Sequence, residues 1–175
     1  MKFDVAIIGA GIIGGMISRE LSKYNLSVVL LEKENDIACG ASKANSGIVH
    51  GGYDPEPDTL KAKLNTVGVA KLFKAAKELN VPIKNNGSLV VAFGEKQDLA
   101  VKELYERGLT NKIEGLEILS GDKAREIEPE LSGEVTSALL VKNAGIICPY
   151  EMTVASIGNA MDNGAELKLD FGVEA

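Results

Sequence analysis

The sequence predicts an α/β fold that opens with a parallel strand–helix–strand unit. Three observations carry this. Residues 3–8 (FDVAII) and 27–31 (SVVLL) are short apolar runs, the pattern of strands buried on both faces of a parallel sheet. Between them lies a glycine turn, Gly9-Ala10-Gly11-Ile12-Ile13-Gly14. A stretch running to Tyr24 follows it, with Ile13, Ile17 and Leu21 in one stripe at helical spacing. The order strand, glycine turn, helix, strand is that of a right-handed βαβ crossover.

The later elements follow in turn. Residues 35–58 are rich in Gly, Ser, Asn and Pro and read as a long loop, a feature that in a compact domain is usually functional or disordered. Ile48, Val49 and His50 inside it favour an ordered, functional loop. Residues 59–79 read as a long helix from the spacing of Leu60, Leu64, Val67, Leu72 and Phe73. Residues 88–93 (SLVVAF) form a strand, 95–107 a helix and 116–119 a short strand. Ser120-Gly121-Asp122 opens a short helix to Glu128. Residues 138–141 and 145–147 read as a hairpin closed at Asn143-Ala144. Pro149 suits a first helical position and Gly164 the residue past a helix end, so a helix runs to about Asn163. Leu167, Leu169 and Phe171 alternate along a final strand, residues 166–173. With no cap or turn after it, the chain reads as the N-terminal piece of a longer protein.

Composition excludes several classes. Of 175 residues, 45% are hydrophobic and 25% charged, which is a globular balance. The net charge of −6 argues against nucleic acid as a partner. No apolar run approaches the roughly 18 residues of a transmembrane segment, and the first residues do not form a signal peptide. Cys39, Cys148 and the single histidine, His50, are too few to close a structural metal site, so no metal is expected. Two reduced thiols fit a cytoplasmic protein; peripheral membrane association of a full-length form stays open.

The chemistry starts at the glycine turn. G-x-G-x-x-G after a strand and at the head of a helix is the dinucleotide-binding fingerprint. Gly9 allows the tight turn, Gly11 lets a pyrophosphate approach the backbone, and Gly14 lets helix and strand pack closely. The helix N-terminus supplies N–H groups and partial positive charge for the phosphates. Glu32 lies 18 residues beyond Gly14, at the end of the second strand. There it can accept hydrogen bonds from both ribose hydroxyls of an adenosine and repel a 2′-phosphate, which leaves FAD or NAD. Lys33 beside it is a further candidate, set against the reading of a solvated lysine. A second small-residue cradle, GASKANSGIVHGG over residues 40–52, favours FAD, because it suits a cofactor that runs on past its pyrophosphate.

At this point the sequence resembles the FAD-dependent oxidoreductases of the D-amino-acid-oxidase type. Within them it is similar to the branch of glycerol-3-phosphate and L-2-hydroxyglutarate dehydrogenases. The stretches that carry the likeness are DVAIIGAGIIGGMISREL, VVLLEKE, GASKANSGIVHGGYDPEPDTLKAKL, NNGSLVVAF, LYERGL and NAGIICPYEMTVA, nearly the whole chain. The resemblance implies a Rossmann-like FAD-binding βαβ unit with the start of a mixed α+β substrate domain. It implies FAD-binding parts at residues 1–60 and 148–175, a partial substrate or cap region at 61–147, and truncation at the C-terminus. It places Gly9, Gly11 and Gly14 at the pyrophosphate and Glu32 at the adenosine ribose. Ser42, Asn45, Ser46, Gly47 and Ile48 then follow the ribityl chain and flavin edge, and Val173 contacts the adenine through its backbone.

His50 is the catalytic candidate, because an imidazole carries protons near neutral pH. In the chemistry implied, a base takes the substrate's hydroxyl proton while the carbon-bound hydride goes to flavin. A role as flavin contact, covalent flavin attachment and no role at all are the competing readings. Tyr53, Lys61 and the helix start at Pro149-Tyr150 are weaker candidates. The expected activity is oxidation of a small hydroxy anion, glycerol 3-phosphate first and L-2-hydroxyglutarate second. A non-catalytic nucleotide-binding fragment and a classical NAD dehydrogenase domain are the alternatives. The electron acceptor is left open among a quinone, oxygen and an iron–sulfur partner.

Overall fold

Val5–Ile8 (β1) and Val28–Leu31 (β2) pair in parallel, Val5 opposite Val28 and Ile8 opposite Leu31, with Ile12–Leu21 (α1) between them. The computed structural model describes residues 2–174. A third parallel strand, Glu166–Lys168, joins the far side of β2, so β2 is central and β1 lies at an edge. That position decides burial. Val28, Val29 and Leu30 of β2 are buried, whereas β1 buries only Ile7 and leaves Ile8 70% exposed. The expectation of two doubly buried strands therefore holds for β2 alone.

The helix α1 also turns a different face inward than its isoleucines suggest. Gly14, Gly15 and Ser18 are its buried residues, while Ile13 and Ile17 are exposed. The reason is close packing against Pro149–Asp162, the last helix. A Cβ on Gly15 would stand 2.6 Å from Ser156 Oγ and 3.0 Å from Ile157. The buried hydroxyls of Ser18 and Ser156 are satisfied by carbonyls of their own helices. Ile7, Val28, Leu30, Ile157 and Ala160 form the core of this layer. Pro149 stands in the first turn of the last helix, and Gly164 just past it has φ +95°, as the sequence predicts.

The chain divides into two compact units. The first comprises Met1–Gly47, Ala75–Pro82 and Ile147–Ala175, and the second Ile48–Lys74 and Ile83–Ile146. The long helix α2 (Leu60–Glu78) contributes to both. In the second unit, Ile48–Val49 is strand β3 and Ile83–Lys84 is β4. Ser88–Ala92 (β5), helix Glu95–Thr110 (α3), Leu116–Ser120 (β6) and helix Gly121–Ile127 (α4) follow. Ser137–Val141 (β7), Gly145–Ile147 (β8), the last helix (α5) and Glu166–Lys168 (β9) complete the order. β7 is the centre of an antiparallel sheet β5–β7–β6, with Ala138, Leu139 and Val141 fully buried beneath α3 residue Val101.

The sequence-based hairpin of β7 with β8 does not form. Both edges of β7 are taken, by β5 and β6, and β8 instead lies between β3 and β4. The short strands β3 and β4 have no period in the sequence to mark them. The final strand is also shorter than predicted. It ends at Lys168, because Asp170 takes φ +52° and turns the chain out of the sheet.

Candidate functional site

The first unit carries a trough across its glycine turn. Gly9 has φ +99°, a conformation open to glycine, and donates its N–H to Leu31 O at 2.8 Å. Gly14 packs so tightly over the turn that a Cβ would fall 2.0 Å from Gly9 O. A Cβ on Gly11 would stand 3.0 Å from Ser42 Oγ. The head of α1 has no acidic residue in its first turn, which leaves its partial positive charge available to an anion. Gly11 gives no side-chain cap, and Ser42 supplies one from the distant loop, accepting the Ile12 N–H at 2.9 Å.

Glu32 closes one end of the trough. Its carboxylate accepts the Ala10 N–H at 2.7 Å and the Glu34 N–H at 3.1 Å. Desolvation pushes its pKa up, but the backbone donors Ala10, Glu34 and Lys33 and the Lys33 ammonium outweigh it, so the pKa lies below its ordinary value. A carboxylate has about four acceptor positions, so these backbone donors do not exhaust it and it can still accept from a hydroxyl. Lys33 and Val173 line the same cleft, of about 460 Å³. Lys33 is well exposed and lies 3.6 Å from Glu34. Val173 lies beyond the final strand, on a tail fastened by Phe171 N–H to Glu32 O at 2.8 Å.

A second cleft, of about 570 Å³, lies along the head of α1 and reaches Asn45. The two clefts share Gly9, Gly11, Ala41 and Ser42, so they form one continuous trough. The Asn45 amide folds its own loop, donating to Ala41 O at 2.9 Å and accepting the Gly47 N–H at 2.8 Å. Gly47 is left-handed (φ +67°) and lies against Ile147 O, where no Cβ fits. Ser46 is exposed and lines neither cleft. The structure thus brings Gly9, Gly11, Gly14, Glu32, Lys33, Ser42, Asn45 and Val173 to one trough. These groups fit a dinucleotide-type cofactor: a helix head without acids for the phosphates, glycines at the turn, and a carboxylate at the ribose end.

Ile48 and His50 lie in the second unit. His50 is exposed and opens a loop that is clamped by side chains far along the chain. Asn143 Nδ2 donates to Gly51 O at 3.2 Å. Asn111 Nδ2 donates to Gly52 O at 3.2 Å and to Pro55 O at 2.8 Å. Arg107 donates to Asp54 O at 2.9 Å and pairs with Glu56 at 2.9 Å. Tyr53 packs into the core around Leu139, and burial, then Asp54, pushes its pKa up. Lys61 pairs with Asp54 at 3.8 Å. The sequence reading missed Arg107, Asn111 and Asn143, because nothing in the local pattern connects them to a loop more than 50 residues away. Among the described residues, no group of three or more His, Cys, Asp or Glu side chains converges as a metal site would require, and no helix is long and apolar enough to cross a membrane.

Comparison with known proteins bears on this trough. Residues 4–175 match the family described as FAD dependent oxidoreductase. A glycerol 3-phosphate dehydrogenase from Caloramator mitchellensis is 50% identical over 167 residues, covering 95% of this chain and 35% of that protein. A mitochondrial L-2-hydroxyglutarate dehydrogenase from Dictyostelium discoideum is 36% identical over 181 residues, covering 98% of this chain and 40% of that one. Among solved structures, the L-alpha-glycerophosphate oxidase from Mycoplasma pneumoniae, reduced and with FAD bound, superposes with a TM-score of 0.93 at 32% identity. That match covers 97% of this chain and 45% of the other. The chain spans less than half the length of these relatives.

Proposed function

The chain belongs to the FAD-dependent oxidoreductase family, and from that premise we propose that it is the N-terminal part of a dehydrogenase that oxidises glycerol 3-phosphate. The observation that supports this most is the 50% identity, across 95% of the chain, to a protein named for that activity. FAD, when bound, supplies the acceptor for the substrate's carbon-bound hydride. Gly9, Gly11 and Gly14 take the pyrophosphate at the head of α1. Glu32, Lys33 and the backbone at Val173 hold the adenosine. Ser42, Asn45, Ser46, Gly47 and Ile48 follow the ribityl chain toward the flavin ring. His50 holds or takes the hydroxyl proton of the substrate. The residues up to 60 and from 148 onward form the FAD-binding part, and those between begin the substrate region. The partner is a small hydroxy anion and the location cytoplasmic, in keeping with two free cysteines.

L-2-hydroxyglutarate is the second reading, supported by the 36% identity to a dehydrogenase of that acid. Anaerobic mixing of the full-length flavoprotein with each compound separates the two. Glycerol 3-phosphate is expected to bleach the flavin's visible bands faster. Faster bleaching by L-2-hydroxyglutarate reverses the assignment, and reduction of NAD without flavin removes it altogether. The chain alone is expected to bind the nucleotide without turnover; added FAD that leaves it colourless after dialysis counts against binding by this half.

A further inference from the structure

The second unit holds a cleft of about 290 Å³ lined by Ile48, Val49, His50, Asn65, Gly68, Val69 and Leu72. Two of these residues, both on α2, have no evident role in the fold. Gly68 sits in the interior of a 19-residue helix, where glycine is among the least favourable residues. Its φ is not left-handed, and an added Cβ would meet no atom within 4 Å. Neither backbone conformation nor packing within the described chain calls for glycine there, in contrast to Gly14 and Gly15 on α1. Asn65, one turn earlier, has a buried Oδ1 with no hydrogen-bond partner. That oxygen lies against Gly52, two residues past His50, where a Cβ would come within 3.5 Å of it. Buried polar atoms are rarely left unpaired, and this one belongs to a side chain that lines the cleft.

The lining sets the chemistry of the occupant. Val49, Val69 and Leu72 give an apolar wall, and the Asn65 amide and the His50 imidazole a polar end. No lysine, arginine or carboxylate lines the cleft. Such a site suits a short carbon chain bearing a hydroxyl or carbonyl, and gives no counter-charge to a phosphate or carboxylate. We propose that this cleft receives the carbinol end of the substrate, with Asn65 as a specificity-determining hydrogen-bond partner of the hydroxyl and Gly68 leaving space for the carbon skeleton. The anionic end of the substrate is held by other residues. The inference rests on the reading of the protein as an oxidoreductase of a small hydroxy anion.

The test compares full-length wild type with Gly68→Ala and Asn65→Ala. Thermal midpoint, flavin absorption, and kcat and KM for glycerol 3-phosphate and for L-2-hydroxyglutarate are measured. Gly68→Ala is expected to melt no lower than wild type and to keep its flavin, since alanine favours the helix. Its KM should rise about tenfold, the effect of one misplaced methyl in a fitted pocket, with a smaller change in kcat. Asn65→Ala should keep its flavin and lose about tenfold or more in kcat/KM, as when a hydrogen-bonding site loses its partner. An active wild type with both variants within about twofold on both constants overturns the inference alone. A Gly68→Ala protein that melts lower or sheds flavin makes the glycine structural and overturns its role, and Asn65→Ala then decides the cleft. A wild type that holds FAD but oxidises neither compound overturns the functional reading, and this inference with it.

Discussion

The glycine turn at residues 9–14 and the loop at residues 50–56 are both irregular and glycine-containing, yet they are held to different degrees by distant side chains. The turn is fixed by the strand beside it, through the Leu31 carbonyl and the Glu32 carboxylate, and by its own close packing. Gly9 bonds to Leu31, Ala10 to Glu32, and Gly14 leaves no space over Gly9 O. The loop after His50 has its carbonyls held by Arg107 on α3, Asn111 just past the end of α3, and Asn143 in the β7–β8 connection. Missing Cβ atoms shape both, since a Cβ on Gly51 would fall 2.3 Å from Val141 and Gly52 has φ +86°; the loop depends in addition on clamps from far along the chain, where a deletion leaves its carbonyls without donors.

That contrast ranks the substitutions. Gly14→Ala should have the largest effect, because backbone must move to relieve a contact of 2.0 Å. Overpacking of this kind costs about 3 kcal/mol or more, and FAD binding should fall with stability. Chemical denaturation of the chain, with and without FAD, measures both; a stability within about 1 kcal/mol of wild type would mean the turn yields more easily than its geometry says. Asn111→Ala comes second. It leaves the carbonyls of Gly52 and Pro55 without their donor and should cost about 2 kcal/mol, the range for unsatisfied, partly buried groups. In the full-length enzyme it should lower kcat more than it lowers flavin content, since the loop it holds carries His50. An equal fall in both would show that the two regions are not separable.

The same contrast explains what the sequence discloses. The βαβ unit was legible because its signals are contiguous: an apolar run, three glycines at fixed offsets, a helical stripe and an acid at the next strand's end. Even there, the buried face of α1 was read from Ile13 and Ile17, whereas Gly15 and Ser18 face α5. Helix–helix contact through small residues leaves no hydrophobic period. The pairing of β7 with β5 and β6 instead of β8 was also hidden, since competition for strand edges is decided by residues 17 to 53 positions apart. Asp170 ended the last strand by a left-handed turn that the alternation of Leu167, Leu169 and Phe171 does not foretell. The side chains that clamp the loop after His50, Asn111, Asn143 and Arg107, have no local signature at all.

Ser42, like Glu32, is a side-chain clamp acting on the glycine turn. It is 9% exposed, and its hydroxyl caps the helix at Ile12. Ser42→Ala should cost about 1 kcal/mol, the usual worth of such a cap. Weaker FAD binding beyond what that loss of stability accounts for would show that the hydroxyl also touches the cofactor. Denaturation read beside a FAD titration separates the two contributions.

The smallest expected effect is a pH dependence shared by both regions. Glu32 in the first unit and Asp98 in the second both have pKa values below their ordinary 4.5 and 3.8. For Asp98 the cause is hydrogen bonds from the Ser137 and Thr136 hydroxyls, slightly opposed by desolvation and aided by Lys102. A depressed carboxylate favours the folded state when ionised. Its contribution is therefore complete above the ordinary pKa and is lost as pH falls through the lower, folded value. Stability should decline below about pH 4.5, first through Glu32 and then through Asp98. Glu32→Gln and Asp98→Asn should each flatten part of that decline, and bound FAD should alter only the part removed by Glu32→Gln. If FAD shifts the Asp98 part instead, the carboxylate at the trough's end does not meet the cofactor, and the assignment of the adenosine end fails.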